Sequence, residues 1–312
     1  MYLLPMKKLF LLLLGAAILA VVVLVGATHH SFHPAAQPIA PTQAPITKLR
    51  VANTEVALAE RLKAAKEIST DLTNTELKQL LAFLMKPVNE RTREEDFLAI
   101  NEVMNQLRVS GMVCGEYANA LCSLIRNPET HPVVRDYAIQ HASAWMKEVC
   151  EENSPVQLSE VDRKHLLDCI VSFLQEPSSL HETGYGTTLN VLRSLELNYP
   201  QDMKDIFTQC SPRIFNVASA KESSPLSNRV SAIQSLPSLP DRKMAQGLVR
   251  SMVMDSPIGS PVKLVAIATL GELGDSGDLE TLRQIQQSDS RLVYAAQSAA
   301  ARLEISLNSA SR

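Results

Sequence analysis

Five cysteines, seven histidines and a scatter of acids are the residues of this chain that could do chemistry. The cysteines are Cys114, Cys122, Cys150, Cys169 and Cys210, an odd number with no Cys-x-x-Cys pair. Cys114 and Cys122 fall eight positions apart in one predicted helix, about 12 Å along its axis. A disulfide tolerates a Cα separation of at most about 7 Å, so these two do not pair if that helix is continuous. Two readings remain for the set. Each cysteine is a small core residue, or an oxidising compartment allows a bridge such as Cys150–Cys169.

His131, His141, His165 and His181 are dispersed. None forms a helical His-x-x-x-His pair and no His-Glu-x-x-His zinc motif occurs, so they read as helix-surface or loop residues. His29, His30 and His33 make a tract that could bind metal. No Asp, Glu or Cys lies near enough to complete a site, and a solvated linker explains them. No Gly-x-Ser-x-Gly elbow or phosphate-binding glycine loop is present. Gly184-Tyr185-Gly186-Thr187-Thr188, beside Glu182, reads as a turn between helices. Trp145 reads as core. Arg135 and Arg229 form either a cationic ladder on an exposed face or pairs with a neighbouring acid or with helix-end carbonyls, the second being the simpler reading. No catalytic, cofactor-binding or metal-binding residue is assigned, no cofactor is expected, and the partner-binding residues are unknown.

The elements that would position these side chains are helices. Aromatics are sparse and the apolar content is mostly Leu, Ala, Val and Ile, which suits thin helix-on-helix layers. Period-two alternation is nearly absent, so almost no sheet is expected. The net charge is −3. Residues 1–47 hold Lys7 and Lys8 and no acid, so the remainder carries −5. A nucleic-acid partner would call for a basic face, and none is expected.

Lys7 and Lys8 precede Leu9 to Ala27, nineteen residues without a charge. A run of about 17–25 apolar residues can cross a bilayer, and lysines on one side only place the N-terminus in the cytoplasm. Residues 1–27 therefore read as a transmembrane anchor. Val25-Gly26-Ala27 offers the alternative of a cleaved signal segment. Residues 28–52 form a linker in which Pro34, Pro38, Pro41 and Pro45 prevent helix and sheet. Both readings place the rest of the chain outside the cytoplasmic membrane, either tethered through residues 9–27 or secreted or periplasmic after cleavage near Ala27.

From Thr54 onward apolar residues recur at i, i+3, i+4 and i+7. Thr54 and Asn74 are expected caps of the first two helices. Phe97, Ile100, Met104 and Leu107 line a third that Gly111 ends, and Ala118, Leu121, Leu124 and Ile125 line a fourth. Pro132 opens a fifth, with Val134, Ala138, Ala142 and Trp145 inward. Ser159 or Asp162 opens a sixth. Further helices are predicted at about 187–198, 201–215, 226–236, 241–254, 261–273, 278–287 and 290–304. Gly274 is expected in the left-handed C′ position, and residues 305–312 as a flexible tail.

A short phrase recurs along this series. Arg135-Asp136-Tyr137-Ala138-Ile139 returns as Arg229-Val230-Ser231-Ala232-Ile233, then as Lys263-Leu264-Val265-Ala266-Ile267, and loosely as Leu292-Val293-Tyr294-Ala295-Ala296. Spacing near 30–40 residues indicates stacked helical hairpins. Pro261 to Asp275, followed by Leu279 and Leu282, resembles a HEAT repeat of bacterial type, and Pro132 to Ala138 looks like the start of another. The gap between Ala138 and Ala232 has room for two divergent repeats, with Leu189-Asn190-Val191-Leu192 as a phrase in one of them. The resemblance implies an all-α solenoid over 53–304, antiparallel helix pairs in a superhelix, and a scaffolding role without catalysis. It also requires Ala138, Ala232 and Ala266 to be buried.

The expected function is a membrane-tethered extracytoplasmic scaffold that binds another protein, with no nucleic-acid partner and no small-molecule substrate inferred. A purely structural spacer and an enzyme of unrecognised type are the alternatives. The enzyme would need His165, His181, Glu182 and Cys210 to converge in one cleft.

Overall fold

The chain divides into two units, residues 1–42 and 43–312. A computed structural model describes residues 58–68, 72–86, 95–110, 115–154, 156–257, 260–288 and 290–310, all in the second unit. The expected anchor at 9–27, the proline linker, the histidine tract, the Thr54 cap, the Gly111 stop and Cys114 lie outside the described residues. No helix among the described residues is long and apolar enough to cross a membrane.

The fold is all-α. The described residues hold thirteen α-helices and two 3-10 turns joined by short connections, with no strand among them. In chain order the helices are α1 (Leu58–Lys66), α2 (Asn74–Leu84), α3 (Glu95–Val109), α4 (Gly115–Arg126), α5 (Pro132–Glu148), α6 (Glu160–Gln175), α7 (Thr183–Leu195), α8 (Pro200–Ala218), α9 (Leu226–Ser235), α10 (Arg242–Asp255), α11 (Pro261–Leu273), α12 (Ser276–Ser288) and α13 (Val293–Ala310). The odd-numbered helices contact one another in sequence from α1 to α13. On the other side, α2 packs on α4, α4 on α6 and α6 on α8, while α10 and α12 pack on α11 and α13. The core runs continuously between the two sets, and Ala138, Ala232 and Ala266 are fully buried in it.

The recurring phrase acquires a mechanical meaning. Its cation caps the helix that precedes it. Arg135 Nη2 donates to the Asn127 carbonyl just past α4 (2.6 Å), Arg229 Nε to that of Ala218 at the end of α8 (3.0 Å), and Lys263 Nζ to that of Ser256 just past α10 (3.1 Å). The last carbonyls of a helix lack intrahelical partners and carry the negative end of its dipole, so a cation there is favourable. The expected pairing with helix-end carbonyls holds for both arginines. The fourth copy is shifted by one residue: Ala296 is the fully buried alanine, while Ala295 is only partly covered and Tyr294 is exposed.

Several expected boundaries move. Thr73, rather than Asn74, caps α2, because it makes a reciprocal capping box with Glu76. Between Ser159 and Asp162 the cap is Ser159, whose hydroxyl accepts from the Asp162 amide. Gly274 is extended rather than left-handed; a Cβ there would meet the Leu270 carbonyl oxygen at 2.6 Å, so space, and not φ, demands glycine. Helix α13 continues through the expected tail to Ala310, since Leu303 and Leu307 prolong its packed stripe.

Candidate functional site

The Gly184-Tyr185-Gly186 run is not a turn between helices. It forms the first turn of α7, which begins at Thr183 rather than 187. Two glycines so close together read as a breaker because glycine disfavours helix. Tertiary contact overrides that preference. A Cβ on Gly186 would stand 2.9 Å from Ser231 Oγ and 3.0 Å from Asn228 Oδ1 on α9, and one on Gly184 would stand 3.3 Å from the Phe173 ring. The glycines let α7 approach α9 and α6 closely, and Tyr185 between them turns toward α6 and α8.

There Tyr185 joins a cavity of about 120 Å³. Leu174 of α6, Tyr185 of α7, and Cys210 and Ile214 of α8 form its buried lining. Gln175, Gln209 and Pro212 are exposed and mark its mouth, and Arg213 closes the side. The parent helices follow from their sequence. Helix α6 buries Leu166, Ile170, Phe173 and Leu174 on one stripe, and α8 buries Met203, Phe207, Cys210 and Ile214. Pro200 opens α8 at a position where a missing N–H costs nothing. Pro212 sits inside that helix and cannot donate to the Thr208 carbonyl. The Ser211 hydroxyl, at 3.1 Å from that carbonyl, takes the donor's place.

Two polar groups at this cavity lack hydrogen-bond partners among the described residues. The Tyr185 hydroxyl is buried on a residue with no exposed surface, and Arg213 Nε is buried as well. The nearest acid to Arg213 is Glu222, at 3.9 Å between Nε and Oε2, whose other oxygen accepts from Asn216 Nδ2. Burial raises the Tyr185 phenol above its ordinary value, with Arg213 pulling the other way. Burial also pushes the Cys210 thiol up to about 11, again against Arg213. At neutral pH both groups are protonated, so neither is a general base or a thiolate.

Glu182, three residues upstream of Tyr185, belongs to a separate buried network. Arg135 Nη1 donates to its Oε1 at 2.5 Å, the guanidinium lies over the Phe173 ring, and Asn228 Nδ2 donates to the Leu180 and Glu182 carbonyls. Three odd-numbered helices, α5, α7 and α9, are tied at that point. Burial raises the Glu182 carboxyl, which Arg135 opposes.

The cysteines divide between the two expectations, and the bridge joins a pair other than the one named. Cys122 of α4 and Cys169 of α6 form a disulfide with a Cα–Cα distance of 5.6 Å. Neither is a free core thiol, and the Cys150–Cys169 bridge does not occur. Gly115 lies against Asp162 seven residues before the bridge on each helix, so α4 and α6 run side by side in the same direction and bring the two sulfurs together. The spacing argument against Cys114–Cys122 could not reach this partner, 47 residues away in the chain. A ring nitrogen of His165 lies within 4.8 Å of both sulfurs, a metal-like grouping. With the sulfurs joined to each other, it has no thiolate ligands. Cys210 is a buried free thiol, while Cys150 is exposed and contacts the Tyr199 hydroxyl at 3.1 Å.

His141 is not on the surface. It is 8% exposed, with Nε2 3.0 Å from Asn101 Oδ1, and burial together with Arg108 holds its pKa down to about 4. Arg108 itself pairs with Glu148. His131 caps α5 through Nδ1, which accepts from the Val133 amide, and its ring stacks on Phe97. His181 is exposed at the end of the first 3-10 turn. Trp145 is core, as expected, with Nε1 donating to the Gln157 carbonyl.

His165, His181, Glu182 and Cys210 thus belong to different contact sets, and no hydrogen bond or ion pair joins any two of them. Sequence reasoning missed Tyr185 and Arg213. The available signal was an aromatic residue held between two glycines, together with a proline inside an otherwise regular helix. No family model, no curated protein and no solved structure matches the chain.

Proposed function

We propose that the chain is a HEAT-like helical-repeat scaffold, held outside the cytoplasmic membrane by its N-terminal apolar segment, that binds a protein partner in the cell envelope. The observation that carries the binding part is the cavity at Tyr185 and Arg213. Its buried walls are mostly apolar, its one thiol is protonated, and no carboxylate or imidazole lines it. Such a site recognises a group and does not transform it.

Three further observations support the reading. The chain-order contacts of the odd-numbered helices are what stacked hairpins would make. At three places the cation of the phrase donates to a carbonyl at the end of the preceding helix. The Cys122–Cys169 disulfide suits an oxidising compartment beyond the membrane.

Affinity capture from envelope membranes, with the full-length chain as bait, tests the proposal. A reproducible stoichiometric partner is the expected result. A chain that retains its fold but captures nothing would leave the spacer reading in its place. Comparing the mass of the cellular protein with that of the full chain shows whether the N-terminal segment is kept as an anchor or removed.

A further inference from the structure

We infer that Cys122, His165 and Cys169 form a redox-gated zinc site. In the oxidised chain the disulfide clamps α4 to α6. When that bond is reduced, a zinc ion held by the two thiolates and the imidazole takes over the clamp. Neither state depends on a protein partner, so the site goes beyond the scaffold reading.

Three observations place the ligands. The sulfurs of Cys122 and Cys169 and a ring nitrogen of His165 all lie within 4.8 Å of one another. His165 and Cys169 stand one helical turn apart on α6, hence on one face. Cys122 of α4 meets that face: its Cα is 5.6 Å from that of Cys169, and its Sγ is 3.6 Å from the His165 carbonyl oxygen. A tetrahedral zinc, with Zn–S of about 2.3 Å and Zn–N of about 2.0–2.1 Å, spaces its ligand atoms about 3.5–3.8 Å apart. Side chains already this close reach that spacing by small rotations once the sulfurs are free.

Ligand type and burial select the ion. Thiolate and imidazole suit zinc or Cu(I), whereas magnesium and calcium take oxygen ligands. Cys169 has no exposed surface and Cys122 is 3% exposed, so leftover charge at the sulfurs is costly. Two thiolates and a neutral imidazole cancel the charge of Zn2+ and would leave Cu+ net negative. His165 is partly exposed and so forms the solvent side of the site, where water fills the fourth position.

The exchange balances. A dithiol reductant of the thiol–disulfide oxidoreductase class gives two electrons and two protons to the Cys122–Cys169 bond and leaves as its own disulfide. Zinc then displaces the two thiol protons to solvent and forms two Zn–S bonds and one Zn–N bond. A disulfide of the same class reverses both steps, taking up two electrons and two protons and releasing Zn2+.

The experiment uses the full-length chain in mild detergent, either oxidised or reduced with a phosphine that is removed before titration. Zn2+ is titrated against a chromophoric chelator, and Co2+ reports its ligands through thiolate charge-transfer absorption. The reduced chain is expected to bind one more equivalent of Zn2+ than the oxidised chain, with a Kd of about 1 μM or below. The comparison cancels any ion taken by His29, His30 and His33, which are the same in both states. Zn2+ should also restore most of the thermal midpoint lost on reduction, and the cobalt–thiolate absorption should appear in the reduced chain alone.

His165→Ala leaves the disulfide in place and is expected to keep the oxidised midpoint. In the reduced state it should weaken Zn2+ binding about tenfold or more. Cys122→Ser should abolish the extra equivalent, while Cys150→Ser and Cys210→Ser should leave it unchanged. No extra equivalent on reduction, or unchanged affinity in His165→Ala, would overturn the inference. So would a reduced chain that unfolds and is not refolded by Zn2+. Each of these outcomes leaves capture of an envelope partner by the oxidised chain unaffected, so the scaffold reading is tested separately.

Discussion

Arg135 and Glu182, 47 positions apart in the chain, form an ion pair in which the arginine side chain is 1% exposed and the glutamate 15%. The pair joins α5 to the start of α7, and the same arginine caps α4 through Asn127. Removing one partner of such a pair strands the other charge in low dielectric, at a cost of about 3–5 kcal/mol. Glu182→Ala is therefore expected to lower unfolding free energy by that amount in urea titration. Arg135→Met/Glu182→Leu, which removes both charges, should recover most of the loss. A single-mutant cost under about 1 kcal/mol, the range of exposed pairs, would show that the charge is not buried in solution.

The disulfide closes a loop of sequence separation 47. Chain-entropy arithmetic puts its contribution near 4 kcal/mol. Reduction, or Cys122→Ser with Cys169→Ser, should lower the unfolding midpoint accordingly without changing helix content by circular dichroism. Non-reducing peptide mapping should recover the Cys122 and Cys169 peptides as one linked species, with Cys150 reacting readily with iodoacetamide and Cys210 slowly.

His141 has a folded-state pKa near 4, below its unfolded value. Between these two values the unfolded chain binds a proton that the folded chain does not, so stability falls as pH drops from about 6.5 toward 4 and then levels off. The full effect is on the order of 3 kcal/mol. His141→Gln should flatten the stability-against-pH profile over that window. An unchanged profile would place the acid sensitivity elsewhere.

Gly271 shows where α11 meets α13. A Cβ added there would stand 2.8 Å from both the Cα and the carbonyl oxygen of Ala299. Gly271→Ala is expected to destabilise by about 1–3 kcal/mol, as overpacking does, despite alanine's better helix propensity. Because two of the three closest atoms are backbone, Ala299→Gly should not restore the loss. A neutral Gly271→Ala would mean that the two helices separate easily.

Helix positions were largely legible in the chain because their information is local. Pro132, Ser159 and Pro261 announce starts, and the stripes through Ala138, Ala232 and Ala266 announce buried faces. Misreadings fell where tertiary packing outvoted local preference. Gly184 and Gly186 open α7 despite glycine's poor helix propensity, since Phe173 stands against the first and Ser231 and Asn228 against the second, leaving no room for larger residues. The tail beyond residue 304 is helical because Leu307 finds the core.

The cavity was not legible at all. Leu174, Tyr185 and Arg213 come from three helices, and nothing in their individual spacing says that they meet. The same holds for Cys122 and Cys169, which pair only because α4 and α6 run in parallel with matching register.

By itself, then, the sequence determined an all-helical chain, its buried alanines and the cations of its recurring phrase, since period and capping act within a few residues. Only the tertiary structure decided which carbonyl each cation caps, which cysteines bond, and that Tyr185 and Arg213 meet at one small cavity. Those are relations between helices far apart in the chain, set by packing contacts that local periodicity does not encode.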